Sequence, residues 1–306
     1  METKAFGKTG YSVSPLGFGG APVGYLKVEQ DRITRILNLL LDAGVNLLDT
    51  AASYPGSEQA IAKAVGHRRD EFVLVSKCGT NLPDVPGAAW SSELITATID
   101  RSLRNLQTDH LDVMLLHSCG EKILREGGAL AALVAARDAG KIRFAGYSGD
   151  NAAAAYAAEL PDIAVIETSV SIADQANIDL VLPAAQRHQI GVLAKRPIAN
   201  AAWKDLADQR GLYQNYAKTY HDRLKQMKLD PAKLGFTGPG AWPELALRFT
   251  LSQPAVNCAI IGTTNPDNAR ANLAIIERGP LSTAIVEQIR GSFRAADRDG
   301  AWMGQT

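Results

Sequence analysis

An Asp, a Tyr, a Lys and a His stand at or just beyond the ends of three successive apolar runs. Asp49 lies near the end of "VNLLDT", Tyr54 follows in "AASYPGSE", Lys77 closes "FVLVSK" and His117 closes "LDVMLLH". Together these types can place a proton on an oxygen. A free phenol titrates near ~10 and is a poor acid at neutral pH. A nearby ammonium favours the phenolate. A carboxylate beside the ammonium keeps it charged and in place, and a neutral imidazole can donate to a carbonyl oxygen and so orient it. The set makes a tuned general acid facing a developing alkoxide, which suits carbonyl reduction when something supplies hydride and needs no metal. Singly, each residue has a plainer reading: an Asp-Thr before a loop is usually a turn, a strand-end Lys usually faces solvent, and a lone Tyr more often packs. Their joint placement at consecutive strand ends favours function. His67, His110, His188 and His221 have no such context and read as surface or core residues, and no two histidines have metal-ligand spacing.

Eight short apolar runs must position these residues: 15–20, 45–50, 72–77, 111–117, 143–148, 163–170, 191–196 and 257–262. Most are continuously apolar, as expected of strands buried on both faces. Amphipathic segments alternate with them. "EQDRITRILNLLLDAG" puts Ile33, Ile36, Leu37, Leu40 and Leu41 on one stripe and stops at Gly44. "SSELITATIDRSLRNLQ" opens on a capping signal and carries Leu94, Ile95, Ile99, Leu103 and Leu106, and "NPDNARANLAII" has a Pro suited to a helix's first turn. Eight strands alternating with helices predict a single (β/α)8 TIM barrel over residues 1–306; the runner-up is an open doubly wound sheet. "AFGKTGYSVS" predicts an N-terminal β-hairpin closing the barrel's bottom, residues from about 200 to 240 predict an insertion after the seventh strand, and the chain's last stretch predicts a C-terminal helical extension.

The bulk properties fit a soluble cytosolic globular protein. The 306 residues are 46% hydrophobic, enough for a large core. Lys+Arg and Asp+Glu both count 32, so the balanced charge gives no reason to expect nucleic acid or an anionic membrane as partner. The N-terminus lacks the apolar run of a signal peptide, and the longest greasy stretches are too short to span a bilayer. Cys78, Cys119 and Cys258 read as free thiols, pointing to a reducing, cytoplasmic location.

The ordered segments "GVNLLDTAASY", "VSKC", "LDVMLLH", "GKIRFAGYS" and "IIGTTNPDNARANL" resemble the aldo-keto reductases from about residue 4 to at least 276. The resemblance implies a barrel holding an extended nicotinamide dinucleotide, usually phosphorylated. It implies Tyr54 as proton donor, Asp49 and Lys77 as its tuning pair, and His117 as substrate orienter. Toward the cofactor it implies Ser148 and Glu167 at the nicotinamide carboxamide, Lys195 and Arg196 on the seventh strand, and Gly262, Thr263, Thr264, Asn268, Arg270 and Asn272 around the adenosine phosphate. "GFGGAPVG" is no dinucleotide fingerprint, since Pro22 stands where its last Gly belongs. Gly20 is expected in a tight turn that lets backbone approach the nicotinamide or substrate.

Several positions depart from the family pattern. Glu167 replaces the common Gln, and a carboxylate accepts from an amide but cannot donate unless protonated. Lys195 and Arg196 stand where an aromatic and Ser are common; Arg196 is expected either to stack or bind phosphate, or to form a salt bridge at the rim. Asn268 stands where many members have Arg, so NADPH is expected as cofactor with NAD use left open. Ala21 replaces a large aromatic, and Tyr25, Trp90, Trp203, Tyr216 and Trp302 are candidate pocket walls. The expected function is reversible NADPH-dependent reduction of aldehydes or ketones to alcohols, by a monomer or small homo-oligomer whose partner is a small carbonyl or alcohol. Competing expectations are a nicotinamide-binding regulatory or auxiliary subunit with little turnover, and a barrel lyase or isomerase.

Overall fold

A computed structural model of the chain describes residues 1–208 and 213–305, with the side chains of 208 and 213–216 outside the description. Two short strands, β1 (Lys4–Ala5) and β2 (Ser12–Val13), pair antiparallel as the expected hairpin. Eight parallel strands follow: β3 (Leu16–Gly19), β4 (Leu47–Asp49), β5 (Val73–Cys78), β6 (Leu111–His117), β7 (Ile142–Ser148), β8 (Ile163–Ser169), β9 (Gly191–Lys195) and β10 (Cys258–Ile261). Each pairs with its sequence neighbours, and β10 pairs back onto β3 to close the barrel. The open-sheet alternative is thereby excluded. All eight apolar runs became barrel strands because each is covered by side chains inside and helices outside.

Two hydrophobic layers hold the wall. Inside, Leu47, Val73, Val75, Val113, Leu115, Val165, Leu193 and Ile260 fill the barrel, and Phe6 and Val13 from the hairpin plug its lower end. Outside, the helix Gln30–Asp42 buries Ile33, Ile36, Leu37, Leu40 and Leu41, the stripe its spacing predicts. The helix Ser92–Leu106 starts at Ser91, whose side chain accepts from the Leu94 N–H and satisfies a donor the helix would otherwise leave unpaired. Pro266 opens the helix Pro266–Ile276, capped by the Asn265 side chain.

The predicted insertion contains the helix Tyr213–Met227 and leads to Ala241–Leu251. These pack with the later helix Thr283–Ala296 in a separate cluster of Tyr220, Leu224, Leu245, Phe249, Ile289 and Phe293. Among the described residues, no helix is long and apolar enough to cross a membrane.

Candidate active site

Strand register collects the polar residues at one end of the barrel. Asp49 pairs with Val75, and Lys77 lies two residues further along β5 on the same face. Lys77 pairs with Leu115, and His117 lies two further along β6. His117 pairs with Ser148, Ser148 with Glu167, and Glu167 with Leu193, two residues before Lys195. Since side chains alternate with a period of two, Asp49, Lys77, His117, Ser148, Glu167 and Lys195 all share the inward face and climb with the stagger of the barrel.

At the centre is a buried ion cluster. The Lys77 Nζ lies 2.5 Å from Asp49 Oδ1 and 3.1 Å from Glu167 Oε2, and donates to the Thr50 carbonyl at 2.9 Å. The Lys77 side chain is 0% exposed and each carboxylate 5%. Burial works against the ammonium, but the charges of Asp49 and then Glu167 outweigh it and hold Lys77 well above the ordinary lysine range. Burial and the charge of Glu167 raise Asp49. Burial alone would raise Glu167 too, yet the ammoniums of Lys77 and Lys195 hold it low. Glu167 Oε2 is buried without a hydrogen-bond partner, so its contact with Lys77 is an ion pair lacking hydrogen-bond alignment.

Tyr54 lies just outside this cluster. Its ring centroid is 5.4 Å from the Lys77 Nζ and 5.9 Å from the His117 ring, edge to face. Burial, then Lys77, pushes His117 down to about 3, so the imidazole is neutral in ordinary buffers. Its Nδ1 is 3.3 Å from the Ser53 hydroxyl, a partner hidden in the sequence by the plainness of "DTAASY".

A cavity of about 540 Å3 opens above the barrel. Its wall includes Asp49, Tyr54, His117, Ser148, Glu167, Lys195, Arg196, Gly262, Thr263, Thr264 and Asn268 of the expected residues. Lys77 lies behind Asp49, off the wall. Gly20 is also off it: a Cβ there would lie 2.6 Å from Ser57 Oγ and 3.0 Å from the Asp49 carbonyl. The crowding at Gly20 is therefore from Ser57 and the end of β4, and the flanking Gly19 and Ala21 line the cavity. Arg270 is on the exterior, paired with Asp267 at 3.0 Å, and Asn272 is buried on the helix Pro266–Ile276. Of the proposed aromatic walls, Tyr25 lines the cavity, its ring 5.6 Å from that of Tyr54. Trp90 packs over Gly79, Trp203 stacks on Trp242, and Trp302 meets Phe293 edge-on. The Tyr216 side chain lies outside the described residues.

Sequence reading missed the hub of the other half of the site. Asp150, just past β7, is 3% exposed. It accepts from the Ser169 N–H at 2.7 Å, Asn177 Nδ2 at 2.8 Å and Thr168 Oγ1 at 3.0 Å, and pairs with Lys195 at 2.9 Å. Arg196, with a left-handed φ of 55°, lies 3.9 Å from the same carboxylate and donates to Ser169 Oγ at 2.8 Å and to the Gln305 carbonyl. The rim ion pair expected of Arg196 is thus present, although Arg196 also borders the cavity. Asn200 Nδ2, in the same wall, is buried without a hydrogen-bond partner.

These groups fit a nicotinamide dinucleotide. Glu167 offers an acceptor with spare capacity beside the Ser148 hydroxyl, which suits a carboxamide. Lys195, Arg196 and the Asn200 amide supply cations and a donor suited to phosphates.

Comparison with known proteins agrees with the geometry. The model of the Aldo/keto reductase family matches residues 15–293. An uncharacterized oxidoreductase of Bacillus subtilis is 27% identical, covering 89% of this chain and 90% of its own. A probable voltage-gated potassium channel subunit beta of Arabidopsis thaliana is 25% identical, covering 94% of each chain. The solved structure of an aldo-keto reductase from Bacillus halodurans in holo form superposes with a TM-score of 0.79 and 27% identity, over 95% of this chain and 96% of that one.

Proposed function

The chain belongs to the aldo/keto reductase family and is an NAD(P)H-dependent oxidoreductase, and from that premise we propose that it reduces aldehydes or ketones reversibly to alcohols, with NADPH preferred and Tyr54 as general acid. The observation that carries this reading is the buried, doubly countered Lys77 beside the Tyr54 ring, with a neutral His117 on the other side.

The reduced nicotinamide, when bound, supplies the hydride. Ser148 and Glu167 would hold its carboxamide, and Lys195 and Arg196 its phosphates. His117, neutral and with Nδ1 engaged by Ser53, has Nε2 left to donate to the substrate carbonyl and fix its oxygen. Tyr54 gives that oxygen its proton, and the Lys77 ammonium stabilises the phenolate left behind. Asp49 holds the ammonium in place. In alcohol oxidation the same groups work in reverse, with the Tyr54 phenolate as base. The Lys195 and Arg196 cations, both paired with Asp150, suit the pyrophosphate that NADH and NADPH share, so the preference for NADPH rests on family resemblance, and Asn268 contributes no charge to that choice.

The test is consumption of reduced-nicotinamide absorbance with NADPH and NADH separately, against a panel of aldehydes and ketones. Turnover with NADPH at the higher kcat/KM supports the reading; NADH as the better donor corrects the cofactor assignment. The relative named as a potassium channel subunit beta favours a second reading, a nicotinamide-binding auxiliary subunit. Tight cofactor binding with no turnover on any carbonyl would favour that reading.

A further inference from the structure

Glu167 does more than a packing residue at its place requires. Lys77 is already satisfied by Asp49 Oδ1 at 2.5 Å and the Thr50 carbonyl at 2.9 Å, so a second carboxylate is not needed to keep it in position. An uncharged amide at 167 could both accept from and donate to a carboxamide, whereas a carboxylate can only accept. What Glu167 adds is negative charge, buried and on the cavity wall, with Oε2 lacking a hydrogen-bond partner. The charged and titratable groups around it are Asp49 on β4, Lys77 on β5, the neutral His117 on β6 and Lys195 on β9. Lys195 is itself engaged by Asp150 at 2.9 Å, and Lys77 is shared with Asp49. Neither cation belongs to Glu167 alone.

A nicotinamide ring is neutral when reduced and carries one positive charge when oxidised. That charge arises in the step in which hydride reaches the carbonyl carbon and Tyr54 supplies the proton to its oxygen. A carboxylate fixed at the wall interacts with the two ring forms differently, as an amide of the same shape would not.

We propose that Glu167 makes the site discriminate by charge between the two redox forms of its cofactor, holding the oxidised ring more tightly and so shifting the equilibrium between the bound forms toward the oxidised cofactor. The inference rests on the nicotinamide reading of the site. Charge discrimination of this kind is read in equilibrium binding of the two cofactor forms.

The experiment measures dissociation constants of NADP+ and NADPH by tryptophan fluorescence or calorimetry, at one neutral pH, for wild type, Glu167→Gln and Glu167→Asp. In Glu167→Gln the oxidised form should weaken relative to the reduced form by about tenfold or more, the scale of one nearby charge at an effective dielectric of ~20. Glu167→Asp keeps the charge and should keep the wild-type ratio. Equal weakening of both forms in Glu167→Gln would overturn the proposal and leave the nicotinamide reading intact. Wild type alone also tests it: a reduced form that binds more than about tenfold tighter than the oxidised form contradicts the proposal without any variant. Binding of neither form to wild type would overturn the nicotinamide reading, and this inference with it.

Discussion

Replacing Lys77 with Met removes the ammonium but keeps most of the volume. Asp49 and Glu167 are then two buried carboxylates facing one site without a cation. At an effective dielectric of ~20, an ammonium 2.5 Å from one oxygen and 3.1 Å from the other supplies roughly 7 and 5 kcal/mol of Coulomb attraction. Desolvating the three groups cancels much of that, and breaking a buried pair by removing one partner typically costs about 3–5 kcal/mol. The variant can recover part of the loss by binding a proton between the two carboxylates. Their folded-state affinity for protons is then raised above the unfolded value near ~4, so this compensation is present at low pH and lost as pH rises. One proton changes the balance by about 1.4 kcal/mol per pH unit, so the loss should be largest near about pH 8 and reduced by several kcal/mol near about pH 5. Urea unfolding followed by tryptophan fluorescence across that range reads it directly. A Lys77→Met protein as stable as wild type at the alkaline end, or a loss that does not shrink on acidification, would refute the cluster's electrostatics.

Three further outcomes follow from other contacts. Asp150→Asn leaves Lys195 and Arg196 without their shared carboxylate and should cost about 3 kcal/mol near neutrality. Burial would raise Asp150, but the charges of Lys195 and then Arg196 outweigh it and hold the carboxyl below its ordinary range, so wild type's advantage should be full above about pH 4 and fade below it; an advantage that grows on acidification contradicts this. Gly262→Ala would set a Cβ 2.6 Å from the Pro22 ring and 2.8 Å from the Gly19 carbonyl, so calorimetry should find a loss of about 1–3 kcal/mol together with weaker cofactor binding. Ser91→Ala removes the acceptor for the Leu94 N–H and should cost about 1 kcal/mol with kcat/KM unchanged; a large fall in activity would mean that the helix start is coupled to the site.

Much of the barrel is legible in sequence because its signals are local. "LDVMLLH" is a strand by continuous apolarity, and Leu94, Ile95 and Ile99 mark a helix face by spacing alone. Asp49, Lys77 and His117 are legible because they are the polar residues at the ends of apolar runs. Asp150 is not legible in sequence because its partners come from β8, β9 and the helix Ala176–Leu180, a convergence that no local spacing encodes. The same holds for Arg196, whose Gln305 partner is more than a hundred positions away. Trp90, Trp203 and Trp302 show the converse limit: large aromatics attract notice in a sequence, but these pack against Gly79, Trp242 and Phe293 away from the cavity. At Gly20 the residue type signals a close approach, but the neighbours it meets, Ser57 and the end of β4, are distant in sequence.

Carbonyl reduction as proposed depends on Tyr54 delivering the proton. Single-turnover decay of reduced-nicotinamide absorbance, with wild type and Tyr54→Phe preloaded with cofactor and mixed with a reactive aldehyde, tests it most directly. The expected rate is lower by about 10²–10⁴ in the variant, with cofactor affinity essentially kept. A Tyr54→Phe protein that turns over at close to the wild-type rate would contradict it.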